Sequence, residues 1–290
     1  MENLLKILTK PDNVPIVGLL FLAVGYTWYG LWRAHRNDRW AATSYEKVHG
    51  DRVHVWPFLV RNEFIGAIVV MAILTFWSIY INAPLEEPAN PSKTPNPSKA
   101  PWYFLGLQEM LVYFDPWIAG VVLPTLIIVG LIAIPYIDVN PRGNGYYTFK
   151  ERRFAIITFL FGFLVLWVAL IIVGTFMRGP GWNFFAPWEA WDTHKVVSMT
   201  NVDLPYAFGL RGYWSQFAFG AVLVLGYFSL VLPGYFAMKK TAARTLEKMG
   251  KARYALTAFL FLSMLSLPLK MFLRIGFNIK YIWVTPWFNI

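Results

Sequence analysis

A short aromatic stretch with one acidic residue is the part of this sequence best suited to proton chemistry. Residues 102–113 read WYFLGLQEMLVY, and Glu109 is their one carboxylate. If the stretch is helical, Glu109 lies two turns from Trp102 on nearly the same face. A carboxyl in an apolar site binds its proton more tightly, which suits a proton acceptor working near neutral pH. The alternative is that Glu109 faces external water, and the sequence leaves both interpretations open.

Aromatic and acidic neighbours extend this candidate site. Trp102, Tyr103 and Tyr113 offer rings that stack on, and hydroxyls that hydrogen-bond to, a quinone-like ring. The ordinary alternative is a belt of aromatic residues at the membrane surface. Glu86 and Glu87 precede the stretch in a proline-rich segment that cannot be helical. They are candidates for passing protons outward, or else a plain solvated pair.

Ligands for redox centres are scarce in this chain. It has no cysteines, which excludes iron–sulfur ligation, thioether-bound haem and thiol catalysis by its own side chains. A buried b-type haem needs two axial ligands from facing helices, usually histidines. The four histidines all lie outside the predicted spans: His35, His49, His54 and His194. We therefore expect no haem and no metal to be ligated by this chain.

The elements that position these residues are membrane spans. The chain is 57% hydrophobic and 14% charged, against about 25% charged residues in soluble domains. A span needs roughly 20 mostly apolar residues, and the sequence holds six such segments, at about 15–32, 64–82, 116–137, 154–176, 213–237 and 254–272. We predict an all-α polytopic transmembrane helical bundle, with an external amphipathic helix between spans two and three.

Basic residues concentrate on one side of this bundle. Most of the 26 Lys and Arg residues lie in three segments, between spans one and two, three and four, and five and six. The positive-inside rule makes that side cytoplasmic, and both termini and loop 82–114 then lie outside. This topology accounts for the net charge of +10 without nucleic acid. We expect a multi-pass protein of the bacterial inner membrane without a cleavable signal peptide.

Residues 56–176 resemble the C-terminal half of cytochrome b, and most closely subunit IV of cytochrome bf complexes. Residues 87–95, EPANPSKTP, are similar to the family's Glu-Pro-Ala-Asp-Pro…Thr-Pro loop. Residues 100–104, APWYF, stand where the family has Pro-Glu-Trp-Tyr-Phe. Three further matches follow the family's order: Trp56-Pro57, Ile134-Pro135-Tyr136-Ile137-Asp138 and Arg152-Arg153. The expected regions are 1–55 with an extra span, 56–176 with the family domain, and 177–290 with an aromatic loop and two further spans.

The resemblance implies one subunit of a quinol:cytochrome c-type oxidoreductase that translocates protons in a respiratory chain. Partner chains would supply the b haems on a four-histidine cytochrome b, a Rieske iron–sulfur protein and c-type cytochromes, in a dimeric complex. This chain would form part of the quinol-oxidation pocket on the outer side. We expect the quinol to be menaquinol, and we predict that five residues bind it: Pro101, Trp102, Tyr103, Phe104 and Tyr113.

One residue departs from the family pattern. Pro101 stands where the family has the glutamate thought to take a proton from quinol. Our hypothesis is that Glu109 substitutes as the catalytic proton acceptor, together with Tyr103. The alternative is a structural quinone-binding or anchor subunit of another respiratory multihaem complex, with an inactive pocket. A secondary transporter is disfavoured because no inverted repeat is apparent.

Overall fold

The computed structural model describes residues 2–43, 54–82, 88–92, 94–140, 147–195 and 201–290. These residues form helices and connecting loops, with isolated β-bridges as their sole extended pairing. Six helices are long and apolar enough to cross a membrane, and they are called spans one to six below: Val14–Trp40, Val55–Tyr80, Ile118–Ile137, Phe149–Met177, Tyr213–Thr241 and Ala243–Phe277. The predicted all-α, six-span bundle is confirmed.

Shorter helices accompany the spans. Glu2–Leu8 precedes span one, and Leu204–Ala207 precedes span five. Trp102–Met110 lies between spans two and three and is the predicted external helix; it is called the surface helix below. A 3₁₀ turn, Pro180–Trp182, follows span four. The surface helix and that turn flank the candidate site.

By its contacts, the chain divides into two compact units. The first comprises residues 1–95, 142–157 and 187–189. In it, the Asp38 carboxylate accepts hydrogen bonds from the backbone N–H groups of Phe149 and Lys150 at 3.1–3.3 Å. Asn37 donates to the carbonyl of Tyr147 at 3.0 Å. Asp38 therefore satisfies N–H groups that a helix leaves unpaired in its first turn.

His35 lies within this first unit, and its predicted position outside the spans is wrong. The helix of span one continues to Thr43, so His35 is helical, and its ring stacks on Phe149 with centroids 4.7 Å apart. The prediction ended the span at the first arginines because hydropathy detects the apolar core of a helix. It does not detect a polar helical extension beyond that core.

The second unit comprises residues 96–141, 158–186 and 190–290. The surface helix packs closely on span four because two glycines remove the side chains that would separate them. A Cβ atom on Gly106 would lie 3.3 Å from the Trp167 ring, and one on Gly174 would lie 3.3 Å from the Leu105 carbonyl oxygen. A buried apolar cluster adjoins this contact, formed by Met110, Tyr113, Phe114, Ala119, Leu166, Leu170 and Leu267.

Spans five and six pack together within the second unit. The Tyr227 hydroxyl donates to the Leu262 carbonyl at 2.7 Å, and the Tyr254 hydroxyl donates to the Val231 carbonyl at 3.0 Å. Gly250, at φ +70°, interrupts the helix of span six near its start. The segment after span six then lies against span five at Gly220, where an added Cβ would be 2.6 Å from the Cα of Trp283.

That contact gives a prediction about stability. Gly220→Ala should lower the free energy of unfolding by about 1–3 kcal/mol, because the new methyl meets backbone atoms that have no free rotation. The matched control is Gly226→Ala on the same helix, where nothing lies within 4 Å of the added methyl. Thermal unfolding of both variants in detergent measures the difference. Equal stability of the two variants would contradict the packing at Gly220.

Candidate functional site

The surface helix begins where the sequence predicts and ends earlier. Pro101 occupies the position before the helix, and the last helical residue is Met110, three residues before the predicted end at Tyr113. The chain then turns, with the N–H of Val112 donating to the Glu109 carbonyl at 3.1 Å. Proline before a first turn is favourable because it fixes φ and its missing N–H costs nothing there.

The segment that leads into this helix, residues 96–101, is held at both ends. The Asn96 side-chain oxygen accepts the N–H of Gly181 at 2.6 Å. The Lys99 ammonium donates to the Thr175 carbonyl at 2.7 Å and lies 4.8 Å from the Trp191 ring centroid. These contacts join the segment to the last turn of span four and to the loop that follows it.

Gln108 closes the same segment onto the surface helix. Its side-chain oxygen accepts the N–H of Ala100 at 2.8 Å, and its side-chain nitrogen donates to the Ser98 carbonyl at 2.9 Å. Both polar ends of the amide are therefore used by the 96–101 backbone. The arrangement fixes how the chain enters the helix at Trp102.

A buried ion pair lies at the other end of the surface helix. The Arg178 Nη2 donates to Glu109 Oε1 at 2.6 Å, and Arg178 Nε donates to Oε2 at 2.9 Å. The Tyr113 hydroxyl donates to the same Oε1 at 2.9 Å, and Arg178 Nη1 donates to the Trp182 carbonyl at 3.1 Å. The glutamate side chain is 0% exposed and that of arginine 6%. This is a bidentate, charge-assisted pair.

Burial and the charge of Glu109 together shift the pKa values of its two hydrogen-bond donors, Tyr113 and Arg178. Burial first, and then the carboxylate, raise the pKa of Tyr113 above its ordinary value. Burial alone would lower the pKa of Arg178, but its hydrogen bond and charge interaction with Glu109 outweigh burial and raise it. Both groups therefore keep their protons and act as hydrogen-bond donors across the physiological range.

Glu109 does not face water, so that alternative interpretation is wrong. The side chain is fully buried, whereas Trp102, seven residues earlier on the same helical face, is 40% exposed. The predicted role of Glu109 as proton acceptor stays a prediction. Sequence reasoning missed Arg178, although a carboxylate in an apolar stretch requires a cation nearby. The available signal was its position as the first residue after span four.

Three aromatic rings at the start of the surface helix form one exposed patch, the aromatic patch. Trp102 meets Tyr103 edge-on with centroids 5.6 Å apart, and Tyr103 meets Phe104 at 4.8 Å. Tyr103 and Phe104 are about half exposed, at 52% and 53%. Pro101 adjoins the patch in sequence and is also exposed. The structure thus brings together four of the five residues predicted to bind quinone.

Tyr113 is not part of the aromatic patch. Its side chain is 2% exposed, packs in the apolar cluster and uses its hydroxyl on Glu109. Glu86, Glu87 and His49 lie outside the described residues. Within the described ranges, no three His, Asp or Glu side chains come together as a metal site would require. Among the described residues that were predicted to bind quinone, those exposed to a ligand are therefore the ones at positions 101–104.

Part of this chain matches a known protein family. Residues 88–188 match the family described as Cytochrome b(C-terminal)/b6/petD. A relative, cytochrome b of Allochromatium vinosum, is 26% identical over an alignment 148 residues long, which covers 47% of this chain and 35% of that protein. The chain therefore matches about a third of that relative's length. No solved structure matches the chain.

The matched segment contains most of the candidate site. It runs from the proline-rich loop through the aromatic patch, the ion pair and spans three and four. It begins later than the predicted boundary at residue 56 and extends past Arg178. Residues 88–188 therefore match a cytochrome b C-terminal domain, carried in a multi-pass helical membrane protein.

Proposed function

We propose that this chain is a haem-free subunit of a quinol:cytochrome c-type oxidoreductase and forms part of its quinol-oxidation pocket. The observation that carries the proposal is the aromatic patch. It is exposed, lies within the matched segment, and follows a segment that Lys99 holds to span four, Asn96 to the loop after span four and Gln108 to the surface helix. Rigid support of exposed rings is what a site for a flat, apolar ligand needs.

In the proposed pocket, this chain binds and orients the quinol. The rings of Trp102 and Phe104 offer stacking surfaces, and the Tyr103 hydroxyl offers a hydrogen bond to a quinol oxygen. The redox chemistry would come from a Rieske cluster and b haems on partner chains, each taking one electron. Both protons would leave on the outer side, where Glu86 and Glu87 stay candidates for the exit.

Glu109 is open to two roles in this pocket. The predicted role is to accept a quinol proton in place of the residue that Pro101 replaces. The geometry favours a positioning role, because its oxygens already accept four hydrogen bonds from Arg178 and Tyr113. A carboxylate so occupied holds the end of the surface helix and has little capacity left for a ligand.

A second candidate function has one observation in its favour. Pro101 has no side-chain group that accepts a proton, so the usual proton route is interrupted at this position. The second function is therefore a quinone-binding anchor in another respiratory multihaem complex. Under that function, the aromatic patch binds quinone and turnover does not depend on Glu109.

Purification of the intact complex through a tag on this chain tests the proposal. We expect four-histidine cytochrome b, a Rieske protein and c-type cytochromes to co-purify, in a dimeric complex from the bacterial inner membrane. Peptide mass spectrometry and haem spectra identify them. Multihaem or molybdenum subunits without a Rieske protein would instead support the second function. Accessibility labelling of the termini in intact cells tests their predicted outer position.

The expected lack of haem ligands gives a separate prediction. Alanine variants of His35, His54 and His194, made singly, should leave the b-haem absorbance of the purified complex unchanged, because partner chains would hold both axial ligands. Visible spectra of the reduced complex measure this. His35→Ala should cost a little stability through the lost stacking on Phe149. Loss of haem absorbance in any of the three would show that this chain ligates haem.

A further inference from the structure

The basic end of span one carries aromatic and arginine side chains stacked along one helical face. We name this set the Trp–Arg ladder; its members are Tyr29, Trp32, Arg33, Arg36 and Trp40. The Arg36 guanidinium carbon lies 4.9 Å from the Trp32 ring centroid and 4.3 Å from that of Trp40. Tyr29 stacks on Trp32 at 5.8 Å, and Arg33 donates to the Tyr29 hydroxyl at 3.5 Å.

The spacing of three and four residues places the ladder on one side of the helix. The opposite side is used within the first unit, where Ala34, Asn37 and Asp38 are buried and the last two bond residues 147–150. Two ladder residues, Tyr29 and Trp32, are more than 40% exposed. The ladder therefore faces away from the packed side of span one.

Among the described residues, no carboxylate pairs with Arg36. Its Nε is buried and has no hydrogen-bond partner there. Asp38 is the one acidic residue of this helix, and its carboxylate already caps residues 149 and 150. A buried N–H group is costly without a hydrogen-bond acceptor. The planar guanidinium presents its edge in a geometry that suits a phosphate.

The surface beyond the ladder indicates what carries that phosphate. Toward the centre of the span, the same helical face continues through Gly25, Leu22 and Gly18. A Cβ atom on either glycine would meet nothing within 4 Å, so this strip is open and flat. An acyl chain can lie along such a strip, whereas a free phosphate ion would make no favourable contact with it. Basic and aromatic residues at the end of a span are typical contacts of acidic lipid headgroups.

We propose that the Trp–Arg ladder binds the headgroup phosphate of an acidic phospholipid, with one acyl chain along Leu22 and Gly25. Arg33 and Arg36 donate to the phosphate oxygens, and Trp32 and Trp40 hold the Arg36 plane in place. The site stabilises span one in the leaflet at its basic end. It lies outside the cytochrome b C-terminal domain and does not depend on the proposed quinol chemistry.

Titration of phosphatidylglycerol into the delipidated, intact complex tests the site, with native mass spectrometry as the readout and phosphatidylcholine as the neutral lipid. Arg33→Gln/Arg36→Gln should weaken phosphatidylglycerol binding by roughly 30-fold, since each arginine contributes about fivefold. The matched control, Lys240→Gln/Lys248→Gln, removes the same charge from another basic segment and should bind as wild type. Arg36→Lys, which keeps the charge, should fold normally and bind with intermediate affinity.

Three results would overturn the site. Equal weakening in the lysine control would assign the effect to general charge. Unchanged phosphatidylglycerol binding by the double arginine variant would remove the ladder from lipid binding. Loss of a partner subunit from that variant, with lipid binding retained, would make the ladder a protein interface.

Discussion

Replacement of Arg178 by methionine should lower the free energy of unfolding by about 3–5 kcal/mol, because it leaves the Glu109 charge buried without its partner. Glu109 is fully buried, and both of its oxygens accept hydrogen bonds from Arg178. Thermal unfolding of the purified complex measures the change. The matched control is Arg211→Met, an exposed arginine in the same unit, with an expected change within about 0.5 kcal/mol.

A fully apolar replacement of the ion pair should restore most of that stability. The triple variant Glu109→Leu, Tyr113→Phe and Arg178→Met removes both charges and the hydroxyl that would otherwise lose its acceptor. Replacing a buried pair by apolar residues of similar volume is often neutral, so we expect the triple variant to be more stable than Arg178→Met alone. A triple variant that is no more stable would contradict a purely structural role for the pair.

The same triple variant separates the two roles of Glu109. If Glu109 positions the surface helix, quinol oxidation should recover together with stability, and the geometry favours this outcome. If Glu109 accepts the quinol proton, the rate should stay low in a stable complex, as our sequence-based hypothesis predicts. Glu109→Gln alone does not separate them, since it leaves Arg178 without a counter-charge. Steady-state quinol oxidation at several pH values provides the readout.

Removal of the Trp102 ring should slow quinol oxidation by about 100-fold without loss of stability. Trp102 is 40% exposed, so Trp102→Ala opens its site to the surface and leaves no closed cavity in the core. A substrate displaced by about 1 Å can react about 100-fold more slowly, and loss of a contact that positions the substrate has an effect of that size. Tyr103→Phe, which removes one hydroxyl from the pocket, should cost about tenfold. Quinol oxidation by the intact complex, with kcat and KM determined separately, measures both.

Trp188→Ala is the control for the aromatic patch. Trp188 is another exposed aromatic residue of the matched segment, and it is not among the residues predicted to bind quinone. It should leave quinol oxidation unchanged. If Trp188→Ala slowed turnover as much as Trp102→Ala, general membrane contact of aromatic residues would explain both effects.

The architecture was predictable because each span is a continuous apolar segment, and helix is the one open-chain conformation that satisfies its backbone in lipid. The surface helix was predictable because the proline-rich segment ends just before Trp102, where an amphipathic stretch begins. The family resemblance depended on short motifs in the right order, and the matched domain confirms it.

The interior of the site was not predictable in the same way. The partner of Glu109 lies 69 residues away, and no local pattern encodes that pairing. The sequence predicted Tyr113 as a ligand contact, because sequence alone does not show whether an aromatic side chain near a motif is buried or exposed. The surface helix ends at Met110, about one turn before the predicted end, and Tyr113 lies in the buried apolar cluster. Tertiary packing determines both the partner of Glu109 and the burial of Tyr113, and hydropathy carries no information about tertiary packing.

Photolabelling of the intact complex with an azido-quinone tests the central claim most directly. The claim is that this chain supplies the quinone-contacting wall through the aromatic patch, while partner chains hold the redox centres. We predict that the label, located by peptide mass spectrometry, falls within residues 101–104 and is displaced by unlabelled menaquinol. A label confined to partner chains, or to spans five and six of this chain, would contradict the claim.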